Sequence, residues 1–242
     1  MKTVLITGAS RGIGAAAALE FAKEGYNLVL ICKNNTEKLN ALASDITSKN
    51  PQITCQCLQC DISSPDDINQ KLLPLIRDSH IDILVNNAGI SHIGLLQDMT
   101  YEEWRAIIDT NLTSMYLLSK LVIPLMVRNN DGRIINISSM WGNVGASCEV
   151  AYSASKGGVN SFTKALAKEL APSNISVNAI AFGVVDTEMN QFLSEEDRNA
   201  LMEDIPAGRF ATCEEAAKMI SNIANAPSYM TGQIITMDGG LT

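Results

Sequence analysis

The apolar positions of this chain recur as short uninterrupted runs, each followed by a longer stretch whose apolar residues fall at helical spacing. Lys2–Thr7, Leu28–Cys32, Ile53–Cys60, Ile81–Val85, Arg133–Ile137, Ser176–Ile180 and Gln233–Met237 are the runs, and each reads as a strand. An Ala-rich helix is expected at Ile13–Lys23, ended by Gly25, and a polar helix passes through Leu39 and Ile46. Further helices are expected at Pro65–Arg77, at Tyr101–Val127 in two pieces, at Tyr152–Leu170 and at Glu214–Ala224. Strands without polar alternation are buried on both faces, which calls for a parallel sheet covered by helices on each side. Right-handed crossovers then make the fold α/β, a doubly wound parallel sheet. No repeat, low-complexity tract or linker divides the chain, so residues 1–242 are expected to form a single domain.

Composition narrows the class of partner. A chain of 242 residues, 46% of them hydrophobic and 18% charged, has ample material for one core. Acidic residues outnumber basic ones 26 to 18, a net charge of −8 that disfavours nucleic acid and anionic membranes. No apolar run reaches the roughly 18 residues of a membrane-spanning helix. The opening MKTVLITGAS lacks the apolar core of a signal peptide before its glycines, so the expected location is the cytoplasm. Cys55, Cys57 and Cys60 invite a metal reading. The alternation of Ile53–Leu58 and a total of only two histidines favour small strand side chains instead, and no metal site is expected.

Chemistry enters at two places. Gly8, Gly12 and Gly14 lie where the first strand turns into the first helix, the context in which a glycine triplet cradles a dinucleotide pyrophosphate. An NAD site usually carries a carboxylate about 20 residues further on, at the end of the second strand. That place is held here by the uncharged Cys32, followed by Lys33. Lys33 and Arg11 can pair with a 2′-phosphate, so NADPH is expected over NADH, with Asp61 placed to bind the adenine amino group. The second place is Tyr152 and Lys156, one helical turn apart. A phenol is a proton donor whose pKa near 10 a neighbouring ammonium should lower.

The whole chain resembles the short-chain dehydrogenase/reductase family, a Rossmann fold. The resemblance rests on TGASRGIG at 7–14, NNAG at 86–89, Asn111, INISS at 135–139, YSASK at 152–156 and MDGG at 237–240. It is most similar to the 3-oxoacyl-acyl-carrier-protein reductases of fatty acid synthesis. The resemblance implies a proton donated by Tyr152, a nicotinamide ribose held by Lys156, a carbonyl oxygen bound by Ser139, and a relay water held by Asn111. It adds Ser10, Ile13, Ile62 and Asn87 to the cofactor contacts, with Thr187 meeting the nicotinamide carboxamide or the phosphates and the Val185 backbone helping to orient the ring. Asn86, Ala88 and Gly89 are expected to close over the adenosine ribose, and His92 is read as an ordinary loop residue. A homotetramer is implied as well.

Three departures bear on the substrate. Phe182-Gly183 stands where the family has Pro-Gly, so the backbone beside the nicotinamide loses a proline. Glu149 replaces a Gly or Gln of the carrier-protein reductases, and a carboxylate there suits a cation better than a thioester arm. Asn130 and Ser173 stand where those reductases offer arginines to acyl carrier protein, with Arg128, Arg133 and Lys168 near enough to compensate. The run from Met140-Trp141-Gly142 to Cys148-Glu149 also resembles a branch that reduces a 5-aminopentanone group on a lysine of elongation factor P. That substrate is the alternative, and a non-catalytic NADP(H)-binding protein is a second one. Trp141 and Glu149 join Ser139 and Tyr152 as expected substrate contacts. Residues 187–209, with Leu193, Leu201 and Met202 at helical spacing, are expected to form a lid.

Overall fold

Runs of valine, leucine and isoleucine form the strands that the sequence predicts, in a computed structural model that describes residues 1–77, 79–190 and 193–242. Among the described residues seven strands make one sheet: β1 (Thr3–Thr7), β2 (Asn27–Cys32), β3 (Cys55–Gln59), β4 (Ile83–Asn86), β5 (Gly132–Ser139), β6 (Ile175–Phe182) and β7 (Ile234–Met237). Their order is β3-β2-β1-β4-β5-β6-β7, and every pairing is parallel. The fold is therefore the doubly wound α/β sheet that the alternation of elements calls for.

The five inner strands bury both faces, while the edge strands β3 and β7 are only partly covered. Val4, Ile6, Leu28, Leu30, Ile83, Val85, Ile135 and Ile137 point into one core, beside Phe21, Leu39, Ile46 and Ile220. These belong to α1 (Gly12–Lys23), α2 (Thr36–Lys49) and a helix at Cys213–Ala224. Leu5, Val29, Ile31, Leu84, Ile134 and Val177 point the other way, onto a helix over 65–76 and onto two longer ones. The longer helices are Tyr101–Asn129 and Val150–Leu170. The period of two distributes apolar side chains between the two cores, so neither face can be left to water.

Tyr101–Asn129 is one continuous helix rather than two pieces. A π turn at Asp109–Thr113 inserts an extra residue and places Asn111 where an α-helix would turn it elsewhere. It is long and apolar enough to cross a membrane by length and composition, yet Ile107, Met115, Leu118, Val122 and Met126 lie buried against the protein. β5 and β6 run two residues past their expected ends. Ser139 pairs in register with Phe182, and Ser138 stays buried because its hydroxyl donates to Asn160 Oδ1 at 2.6 Å.

Candidate active site

β1 and β4 are neighbours, but the chain leaves them toward opposite ends of the sheet. Their C-terminal ends therefore open a crevice, the place where doubly wound sheets bind ligands. The two walls are sewn together. Thr7 Oγ1 accepts from the backbone N–H groups of Asn87 and Ala88, both at 3.0 Å, and Asn87 Nδ2 donates to the Thr7 carbonyl at 2.8 Å. The glycines are there for room. A methyl group on Gly14 would sit 2.3 Å from the Gly8 carbonyl oxygen and 2.6 Å from Asn87 Nδ2, and Gly8 itself has φ +64°. Thr7 is a site residue that the sequence reading passed over, although it opens the glycine motif.

The start of α1 is left open. Arg11 at its N-cap makes no side-chain cap, and the first turn carries no acidic residue. The helices at Tyr101 and Cys213 instead begin with capping boxes, Thr100 with Glu103 and Thr212 with Glu215. Uncapped N–H groups and the positive end of a helix dipole, facing a glycine-walled crevice, fit the pyrophosphate of a dinucleotide.

Charges cluster at the crevice end near β2. Lys33 Nζ lies 2.7 Å from Asp61 Oδ2, and Asp61 Oδ1 also accepts from Ser63 Oγ at 2.6 Å. Burial pushes the Asp61 carboxyl up, but the bonds from Lys33 and Ser63 outweigh it and hold the group below the usual carboxylate range. Arg11 Nη1 meets Glu188 Oε2 at 2.7 Å, and Lys38 Nζ meets Glu188 Oε1 at 3.0 Å. Glu188 and Lys38 are not apparent from motif reading. The only sequence signal is a carboxylate beside Thr187.

The opposite end of the crevice is dry. The Val150–Leu170 helix presents Tyr152 and Lys156 one turn apart, with Lys156 Nζ 5.6 Å from the Tyr152 ring centre. Lys156 is 3% exposed and donates to the Ile137 carbonyl at 2.7 Å. Burial drops its pKa to about 8. Burial likewise pushes the Tyr152 phenol up to about 12, with a hydrogen bond from Ser139 pulling it down and the charge of Glu149 adding to the rise. The expected lowering of the phenol by Lys156 is thus not what dominates, because desolvation acts on both groups and Lys156 is itself held on a strand carbonyl. Ser139, at the very end of β5, is buried and accepts from the Trp141 N–H at 3.2 Å.

Asn111 is fully buried. Its side chain donates to the Ile90 carbonyl at 2.9 Å and to Ser155 Oγ at 3.1 Å, and accepts from the Ile90 N–H at 2.9 Å. A methyl group on Gly89 would lie 3.4 Å from Asn111 Oδ1 and 3.6 Å from Lys156 Nζ, so both polar groups pack against the same glycine.

One cavity of about 930 Å³ joins both ends. That is near the top of the range for single-ligand sites, roughly 300–1,000 Å³. Its walls include Gly8, Ser10, Arg11, Gly12, Ile13, Lys33, Asp61, Ile62, Asn87, Ala88, Gly89, Ser139, Trp141, Glu149, Tyr152, Lys156, Val185 and Thr187. Of the sequence-derived candidates, Gly14 and Asn111 stand behind the wall. Asn86 turns away altogether: its amide donates to Asn136 Oδ1 at 2.8 Å between β4 and β5, so it ties the sheet and does not close over a ribose.

Arg133 lies at the start of β5, at the far end of that strand from Ser139, and pairs with Asp131 at 2.8 Å. His92 stays in a loop, 3.9 Å from Glu103. Phe182 is 4% exposed, with its ring in the core and one side on the cavity. Cys55 and Cys57 pack against the core from the edge strand β3, where burial pushes the Cys55 thiol up to about 12. Residues 191 and 192 of the expected lid lie outside the described residues. The rest holds a helix at Glu195–Asp204 above a base closed by a bridge from Val185 to Ala211, with Leu193 and Leu201 on the cavity.

Comparison with known proteins agrees with the fold. The family model described as short chain dehydrogenase matches residues 2–198, and the chain belongs to that family. It is an oxidoreductase. The chain is 40% identical over 240 residues to the uncharacterized oxidoreductase YmfI of Bacillus subtilis, covering 99% of this chain and 98% of that one. It is 40% identical to the 3-oxoacyl-[acyl-carrier-protein] reductase FabG of Thermotoga maritima, covering 99% and 97%. The crystal structure of YwfH, an NADPH dependent reductase involved in bacilysin biosynthesis, superposes with a TM-score of 0.94 at 27% identity, over 100% of this chain and 98% of that one.

Proposed function

We propose that this chain is an NADP(H)-dependent ketone reductase in which Tyr152 is the proton donor. The observation that carries the reading is the single cavity joining the uncapped, glycine-walled start of α1 to the buried Tyr152, Lys156 and Ser139. Bound there, NADPH supplies the hydride. Gly8, Gly12 and the α1 N–H groups hold its pyrophosphate, Arg11 and Lys33 its 2′-phosphate, and Val185 and Thr187 flank the nicotinamide. The Ser139 hydroxyl binds the substrate oxygen as negative charge grows on it. Tyr152 Oη gives that oxygen its proton. Lys156 holds the ribose and stabilises the phenolate left behind, and Asn111 anchors the path by which the proton is replaced. Desolvation keeps the phenol protonated before the reaction, as an acid must be. The described residues of 187–209, with the helix at Glu195–Asp204, close over the substrate as a lid. Tyr101, Tyr116, Val127 and Val150 leave apolar side chains on the two long helices, which supports packing as a homotetramer, and the working compartment is the cytoplasm.

The first substrate reading is a 3-oxoacyl group on acyl carrier protein, supported by relatives of that name at 39–40% identity. A second is favoured by Glu149. Its side chain lines the cavity, burial pushes its carboxyl above the ordinary range, and its charge acts on Tyr152. Among the described residues nothing caps or pairs with it. A half-buried carboxylate with no partner rewards a substrate that brings a cation, as the 5-aminopentanone group on elongation factor P does.

NADPH oxidation measured with acetoacetyl thioester and with 5-amino-2-pentanone separates the two. For an amine substrate, Glu149→Gln should raise KM about tenfold or more, the value of a lost charged partner, and leave the thioester unaffected. Equal loss with both substrates would remove Glu149 from substrate choice. Turnover with neither, on protein shown to bind NADPH, would sink the ketone reading.

A further inference from the structure

Arg11 comes from the glycine loop after β1, and Lys38 from the first turn of α2, after β2. A single carboxylate bridges them: Glu188 Oε2 to Arg11 at 2.7 Å and Glu188 Oε1 to Lys38 at 3.0 Å. Glu188 sits beside Thr187, whose methyl group would lie 3.5 Å from a side chain on Gly12. The bridge therefore spans the mouth of the nucleotide end and ties it to the first residues of the expected lid. A carboxylate with two oxygens on two cations occupies the positions that phosphate oxygens would take on the same cations.

Resting on the NADP(H) reading above, we propose that Glu188 is an internal competitor for the cofactor's phosphate and so sets how tightly this protein holds NADP(H). Binding exchanges the carboxylate for a phosphate on Arg11 and Lys38, which brings Lys38 into the phosphate site with Lys33 and releases Glu188. The exchange is easy because the partners are wet. The side chains of Arg11 and Lys38 are 56% and 54% exposed, so the pairs are screened and cheap to break. It is selective because a dinucleotide without a 2′-phosphate brings less charge to displace the carboxylate. Asp61 plays no equal part: it holds one cation, Lys33, and is fixed by Ser63 as well.

Calorimetric titration of wild type and Glu188→Gln with NADP⁺, with 2′,5′-ADP and with 5′-AMP tests this without any turnover. In the variant, Kd for NADP⁺ and 2′,5′-ADP should fall about 3–10-fold, the scale of exposed ion pairs, with 5′-AMP moved less than twofold. The dependence of Kd on salt should steepen, since one more cationic charge is free to meet the ligand. Adding Lys38→Met to Glu188→Gln should abolish the gain. An unchanged or weaker NADP⁺ affinity in a Glu188→Gln protein that melts like wild type would overturn the proposal, the weaker case meaning that the bridge clamps over the bound dinucleotide. Failure of wild type to bind either NADP⁺ or 2′,5′-ADP would overturn the cofactor reading and this inference with it.

Discussion

The two ends of the cavity solve the problem of charge in opposite ways. At the nucleotide end, Arg11, Lys33 and Lys38 are more than half exposed, and each is already held by a carboxylate at 2.7–3.0 Å. At the reactive end, Lys156 is 3% exposed, Ser139 is 7% exposed, and the titratable groups are shifted by desolvation rather than by partners. Exposed pairs contribute little to folding and exchange readily, which suits groups that must let a ligand in and out. Buried groups are costly to hold and hard to move, which suits a proton donor whose position decides the rate. The same residue types therefore do different work, and their surroundings decide which.

The sharpest way to break that contrast is at the phenol. Tyr152→Phe should lower kcat for ketone reduction by about 10²–10⁴-fold, the range of a lost general acid, while NADPH affinity by fluorescence titration stays close to wild type. A variant that keeps a tenth of its activity would move the acid elsewhere.

Lys156 offers the next largest effect, in stability. Its folded pKa of about 8 lies below the 10.5 of the unfolded chain, so between those values the unfolded state binds more protons. Stability from this residue must then rise as pH rises from about 8 to 10.5, and be lowest, fully penalised, below 8. The shift corresponds to about 3 kcal/mol. Urea unfolding of wild type and Lys156→Met across pH 7–10 should show wild type gaining on the variant by most of that amount. A difference independent of pH would mean that Lys156 is not desolvated as the burial indicates.

The smallest effect sharpens the other half of the comparison. Lys33→Ala should change unfolding free energy by no more than about 0.5 kcal/mol, as surface substitutions do, yet weaken NADP⁺ binding several-fold more than NAD⁺ binding. A large loss of stability would show that the Lys33–Asp61 pair is structural, and equal losses for both dinucleotides would detach Lys33 from the 2′-phosphate.

Much of this was legible in one dimension. The alternation of short apolar runs with helices dictates a doubly wound parallel sheet, because a strand that is apolar on both faces must be covered on both. The glycine spacing after β1, the neutral Cys32 followed by Lys33, and Tyr152 with Lys156 one turn on are local patterns, and local patterns survive in the sequence. Thr7, whose hydroxyl ties β1 to the loop after β4, was not legible, since its partners are about eighty residues away. Nor was the fate of Asn86, because two adjacent asparagines read alike until the pleat sends one into the sheet and its neighbour into the crevice. The direction of the Tyr152 shift needed the tertiary structure for a related reason. An ammonium one turn away is expected to lower a phenol's pKa, whereas here burial raises it, and burial is a property of everything packed around the pair. By itself the sequence determined which elements form, in what order, and the family they define. Only the folded chain decided which charges meet, since Glu188 finds Arg11 and Lys38 through contacts more than a hundred residues apart, and which groups lie dry, since desolvation depends on a three-dimensional neighbourhood that no spacing encodes.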